Sequence, residues 1–157
     1  MSMTIQALAA GRTERGTENL IVAALATPPD KRTWQPLENG RSVADLLVEC
    51  TLVNLKWAAS LRNRVYTRVT SETEACVISA PDDTNLLIER LRASTSELIA
   101  AIKNVRDDEL PQMLPTPFGT YSMADLCLIA YWNSVYHEGQ INYIQTLYGD
   151  KTLHTSF

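Results

Sequence analysis

Histidine is scarce in this chain of 157 residues, which has only His137 and His154, and its three cysteines, Cys50, Cys76 and Cys127, show no Cys-x-x-Cys spacing. An odd number of scattered cysteines excludes a disulfide framework and a cysteine-clustered metal site, so the thiols read as reduced. An excess of basic charge is also missing. With 14 Lys and Arg against 18 Asp and Glu, the net charge of -4 argues against a nucleic-acid partner, because such domains gather cations into a phosphate-binding face. Long apolar runs are absent too. Runs as long as Leu126 to Trp132 fall far short of a membrane span, and no apolar signal core precedes Arg12 and Arg15. A cytoplasmic protein with no membrane partner is expected.

What is present is helical. A hydrophobic fraction of 45% over this length suits one domain, 1–157, and no stretch alternates with a period of two for long enough to predict a strand. The first helix is expected over Thr4–Ala26, weakened by Gly11 and Gly16, and Thr27-Pro28-Pro29-Asp30 stops it. Ser42-Val-Ala-Asp45 opens a second helix as a capping box, running to about Arg64. The same wording returns at Ser122-Met-Ala-Asp125, which opens the last helix. After Pro81, the residues Ile88, Leu91, Thr95, Leu98, Ile102 and Val105 follow the three-and-four spacing of a bundle seam. Pro111, Pro115, Pro117 and Gly119 make residues 107–120 a crossover or lid, and residues 65–80 fit either a loop with a short helix or an extended piece. Leu126 to Trp132 is apolar all round, which predicts burial on several sides, either in a homodimer or beneath Phe118 of the crossover.

One helix carries ligand-type side chains at a useful spacing. Asn133 and His137 are four residues apart and share a helix face. The run Asn-x-x-x-His-Glu-Gly-Gln-Ile at 133–141 resembles the last-helix motif of the DinB-like superfamily. The Trp-Pro loop at 34–36, the Ser-Val-Ala-Asp-Leu-Leu start at 42–47 and the Thr-Pro-Phe-Gly crossover at 116–119 extend the resemblance over nearly the whole chain. It implies an all-α fold, a four-helix bundle in up-down-down-up order, often dimeric. It also implies a divalent metal held by three histidines, one on the second helix and two on the last. Thiol-dependent transferases and isomerases are among such proteins, beside members without assigned activity.

Carried over residue by residue, the implied metal ligands become Glu49, Asn133 and His137, with only the last a histidine. No cofactor is certain on this basis. If one is bound, it is a divalent metal, Mn, Ni or Zn, and the carboxylate and amide oxygens pull the preference toward harder ions such as Mn, Mg or Ca. The competing reading is a metal-free network in which Glu49 accepts hydrogen bonds from His137 or Asn133. Two functions follow: a small-molecule-binding or inactive family member with a degenerate site, or a metal-dependent hydrolase or low-molecular-weight-thiol transferase. Gly139 and Gln140 are expected to serve helix packing, and Tyr131, Trp132, Tyr136 and Tyr143 to lie mostly in the core. Cys50 and Cys127 read as inert apolar-face thiols, His154 as solvated, and Arg62, Arg64 and Arg68 as a solvated basic group at a helix end.

Overall fold

The computed structural model describes residues 3–155. Its long helices are α1 (Ile5–Ala26), α2 (Val43–Asn63), α4 (Thr84–Lys103) and α5 (Met123–Leu147), with the short α3 (Ser71–Ile78) and a hairpin of β1 (Met113–Thr116) and β2 (Gly119–Ser122) between them. Both expected capping boxes are formed: Ser42 accepts from the Asp45 amide and Ser122 from the Asp125 amide, while each aspartate accepts from its serine's backbone N–H. Each such cap contributes about 1 kcal/mol. Thr4 and Asp83 cap α1 and α4 in the same manner.

Cross-links between helices fix their directions. The Gln145 amide donates to Ala23 O and Thr27 Oγ1, and Gly16 lies against Tyr131, so α1 and α5 run parallel. Asn54 donates to Thr95 at 2.9 Å and Arg64 to Asn104 O at 3.2 Å, which makes α2 and α4 parallel as well. Thr17 meets Thr95, whereas Gln6 meets Val105; α1 and α4 are therefore antiparallel. The order is up-down-down-up, with each long helix flanked by two others.

The core has two apolar ends and a polar middle. Leu20, Ile21, Leu47, Leu91 and Ile141 belong to one buried cluster, and Trp57, Leu61, Leu98, Ile102 and Leu126 to the other. Between them every long helix contributes buried polar side chains: Thr13 and Thr17, Thr51 and Asn54, Ser94 and Thr95, Ser134 and His137. Asn54 donates to both Ser94 and Thr95, and Thr51, Ser94 and Thr95 return their hydroxyls to carbonyls of their own helices. Buried groups of this kind cost free energy unless paired, so the pairs among Thr17, Asn54, Ser94 and Thr95 favour the single register in which they meet, while Thr13 Oγ1, Ser134 Oγ and His137 Nε2 are left without partners.

The hairpin corrects the expectation of a strand-free chain. Met113 pairs with Ser122 and Thr116 with Gly119, and only Leu114 of the two strands is buried. Its inward pair, Leu114 and Tyr121, packs on the core cluster, but each strand has only four residues, too few for an alternating pattern to stand out in the sequence. Gly119 sits at φ 131°, a value that disfavours side-chained residues, and closes the turn that carries Phe118. At the end of α2, Arg64 adopts a left-handed conformation and donates to Glu109 at 2.9 and 2.7 Å and to Leu61 O. Arg62 pairs with Glu97. Two of the three arginines expected to form a solvated group are thus engaged, and Arg64 ties the ends of α2 and α4 together.

Candidate functional site at the α2 and α5 seam

Glu49 projects from the first third of α2 and His137 from the middle of α5, where the two antiparallel helices face each other beside the polar belt. Their nearest atoms, Glu49 Oε1 and His137 Nε2, are 3.4 Å apart. The second oxygen of Glu49 forms an ion pair with Arg41, which directly precedes the Ser42 cap. His137 Nδ1 lies 2.6 Å from Gln140 Oε1, one turn along the same helix. Asn133 turns its amide nitrogen to Cys50 Sγ at 3.4 Å. All three sequence candidates therefore gather at one seam, but only Glu49 and His137 are in direct contact.

The imidazole is 1% exposed, and that burial holds its pKa below the ordinary histidine value; the Gln140 hydrogen bond opposes the shift and the Arg41 charge adds to it. A neutral imidazole carries one N–H. If Gln140 accepts that proton at Nδ1, the bare Nε2 faces a carboxylate and needs a proton or cation between them. If the Gln140 amide is rotated to donate, Nε2–H points at Glu49. Cys50 is fully buried, and burial pushes its thiol up to about 12, against the hydrogen bond of Asn133. Burial raises Cys127 likewise, to about 11. Neither thiol forms a nucleophilic thiolate at neutral pH.

The metal implied by the resemblance requires several donors aimed at one point. Here two converge, one of them already neutralised by an arginine whose positive charge disfavours a neighbouring cation. Among the described residues, no group of three or more His, Cys, Asp or Glu side chains is placed to hold a metal ion. As they stand, the side chains do not fit a three-ligand site.

Two cavities open on either side of the network. Glu49 and Asn133 line one of about 330 Å³ with Lys56, Trp57, Phe118 and Trp132 among its walls. Arg41 and Gln140 line another of about 600 Å³ beside Trp34 and Tyr143. Arg41 and Lys56 are the site residues that sequence reasoning missed. Glu49, Val53 and Lys56 stand at i, i+4 and i+7, a spacing that marks one stripe of α2 and was the available signal. Arg41 lies outside the helix, and no spacing rule announces it.

Several neighbouring expectations change. Gly139 has nothing within 4 Å of where a Cβ would stand, so it serves no helix approach in this chain, and Gln140 bonds within its own helix instead of across to another. Trp132, Tyr136 and Tyr143 are 66%, 53% and 65% exposed, not core. Phe118 packs edge-on against Tyr66 as well as lining the cavity. His154 is half-buried and contacts Asp150 at 2.8 Å.

A sequence profile of the DinB superfamily matches residues 12–141. The chain belongs to the DinB superfamily. Among solved structures it resembles a DinB-like protein from Bacillus subtilis, with a TM-score of 0.68 at 10% identity, covering 96% of this chain and 99% of that one. It also resembles a conserved protein from Enterococcus faecalis, with a TM-score of 0.68 at 17% identity, covering 95% of this chain and 100% of that one. At such identities the likeness shows the DinB-like fold alone. No curated protein matches the chain.

Proposed function

We propose that this DinB-family protein binds a small molecule at the α2 and α5 seam, and that its family metal position has become a metal-free polar network. The observation that carries this reading is the pairing of Glu49 with Arg41. An arginine bound to the carboxylate supplies internally the positive charge that a divalent ion would otherwise bring, and it fixes Glu49 beside the cavity. Largely pre-formed concave sites with a few polar groups are the usual home of small ligands. Three free cysteines suit a reducing compartment such as the cytoplasm.

One observation favours a second reading, a divalent-metal-dependent hydrolase or low-molecular-weight-thiol transferase. His137 Nε2 is buried without a hydrogen-bond partner, 3.4 Å from a carboxylate oxygen. In that reading Glu49 and His137 hold the ion and Asn133 joins them after its amide rotates, and a bound metal supplies Lewis acidity.

Elemental analysis of protein purified without an affinity tag separates the two readings. The first expects less than a tenth of an equivalent of metal; a stoichiometric transition metal overturns it. The paired substitution Glu49→His and Asn133→His supplies the complement, because imidazole is the better donor for zinc and nickel. Calorimetry is expected to show weak or no zinc binding by the parent and clear binding by the folded double variant. Absence of any gain would mean that positions 49, 133 and 137 do not converge on one ion.

A homodimer is part of the same proposal. The outward face of α5 exposes Val135, Tyr136, Tyr143 and Leu147, with Trp132 stacked on Tyr136 at 5.8 Å. An aromatic stripe of this kind is the sort of surface that partners cover, and two-fold pairing is the commonest way to cover it.

A further inference from the structure

We propose that the cavity beside Glu49 and Asn133 takes a small carboxylate with an apolar or aromatic body, its carboxylate paired with Lys56. This rests on the small-molecule reading above and names its ligand class.

The Lys56 ammonium lies 5.1 Å from the Trp57 ring centroid and 5.1 Å from that of Phe118. Two π-faces from different elements, α2 and the hairpin turn, thus hold one cation at the cavity wall. Among the described residues Lys56 forms no ion pair, whereas Arg41, Arg62, Arg64, Arg92 and Arg106 all do. The only acid on the cavity wall, Glu49, is committed to Arg41. With Glu49 matched by Arg41 from outside this cavity, Lys56 is the one charge on the wall left without an ionic partner, which favours an anion over a cation. Partial burial lowers the Lys56 pKa, a desolvation that an incoming carboxylate would offset.

The rest of the wall fits the body of such a ligand. Ile129 and the rings of Tyr121, Trp132 and Phe118 offer apolar contact, and Asn133 adds a polar group. A volume of about 330 Å³ lies near the lower end of ligand pockets and suits a compound of one ring better than a peptide. Lysine makes a point-charge contact and carboxylates suit it; the apolar walls favour a carboxylate with a hydrophobic body over small hydrophilic anions.

The test uses three probes of matched shape: 3-phenylpropionate, its neutral amide and 2-phenylethylammonium, titrated into the full chain. Trp57 and Trp132 line the cavity, so tryptophan emission reports binding, with calorimetry as the second readout. The carboxylate is expected to bind at least tenfold more tightly than the amide, and the cation least well. Lys56→Met keeps the aliphatic stem and is expected to remove about tenfold of the carboxylate affinity, the size of one charge-assisted contact, while leaving the amide unchanged. Lys56→Arg is expected to retain the preference. Phe118→Ala lies on an exposed turn and is expected to weaken all three probes together.

Equal binding of carboxylate and amide, or a preference that survives Lys56→Met in folded protein, overturns the carboxylate assignment but leaves the small-molecule reading standing. Tightest binding of the ammonium probe does the same and transfers the polar role to Glu49. Failure of all three probes at millimolar concentration overturns this assignment and removes the pocket's support for the small-molecule reading.

Discussion

Replacing Gly16 by alanine should weaken the bundle, whereas the same change at Gly11, five residues earlier on α1, should strengthen it. At Gly11 a new Cβ meets nothing within 4 Å, so only the helical preference of alanine acts, worth about 0.8–1.0 kcal/mol. At Gly16 the same preference is opposed: the added carbon would stand 3.0 Å from Tyr131 Cδ2 and 3.5 Å from Ser134 Cβ. Overpacking of this kind costs about 1–3 kcal/mol, which leaves a net loss of up to about 2 kcal/mol. For a chain of this length, 1 kcal/mol corresponds to about 2–4 °C in Tm. Thermal and urea unfolding of the two single variants should therefore move in opposite directions. The cause can be isolated by making Gly16→Ala in a Tyr131→Ala background, where the contact is gone and alanine should become neutral or stabilising. A coupling of about 1–3 kcal/mol in that cycle is the expected signature. Gly16→Ala stabilising as much as Gly11→Ala, or no coupling with Tyr131, would refute the close approach of α1 and α5. That approach matters to the site, because Ser134 lies between Asn133 and His137 on the face pressed toward α1.

Two further outcomes are expected. Glu109 is held at about 2 by its hydrogen bonds from Arg64, aided by the Arg106 backbone N–H; a depressed carboxylate contributes stability that is present above its unfolded value of about 4.5 and lost as pH falls toward 2. Urea midpoints should fall between pH 5 and pH 2.5 in the parent and fall less in Glu109→Gln; equal slopes would mean that the Arg64 clamp is not formed in solution. Light scattering at micromolar concentration should give twice the chain mass, and Tyr136→Glu with Tyr143→Glu should halve it, since both side chains are exposed on α5; a monomeric parent would show that the aromatic stripe is left uncovered.

Local chemistry along the chain determined the helices and their starts. A serine followed three residues later by aspartate satisfies free N–H groups with atoms only a turn away, so Ser42 and Ser122 announce α2 and α5 without help from the rest of the molecule. The seam of α4 was equally legible, because Ile88, Leu91, Leu98 and Ile102 differ from their neighbours in hydropathy and all four are buried. Spacing also placed Asn133 beside His137, and the resemblance brought Glu49 to them. Tertiary structure decided what those residues do. Arg41 claims Glu49 from outside the helix and Cys50 of α2 takes the Asn133 amide of α5, neither of which spacing along one helix can express, whereas the His137 and Gln140 pair is a contact within one turn of α5. The same holds for glycine: Gly16 is pressed against Tyr131 while Gly139 faces open space, although both lie in the interior of a helix. Periodicity records which face of a helix is apolar. It does not record which neighbour stands opposite, how near it comes, or whether a polar group will find its partner there, because those depend on distances between segments far apart in the chain.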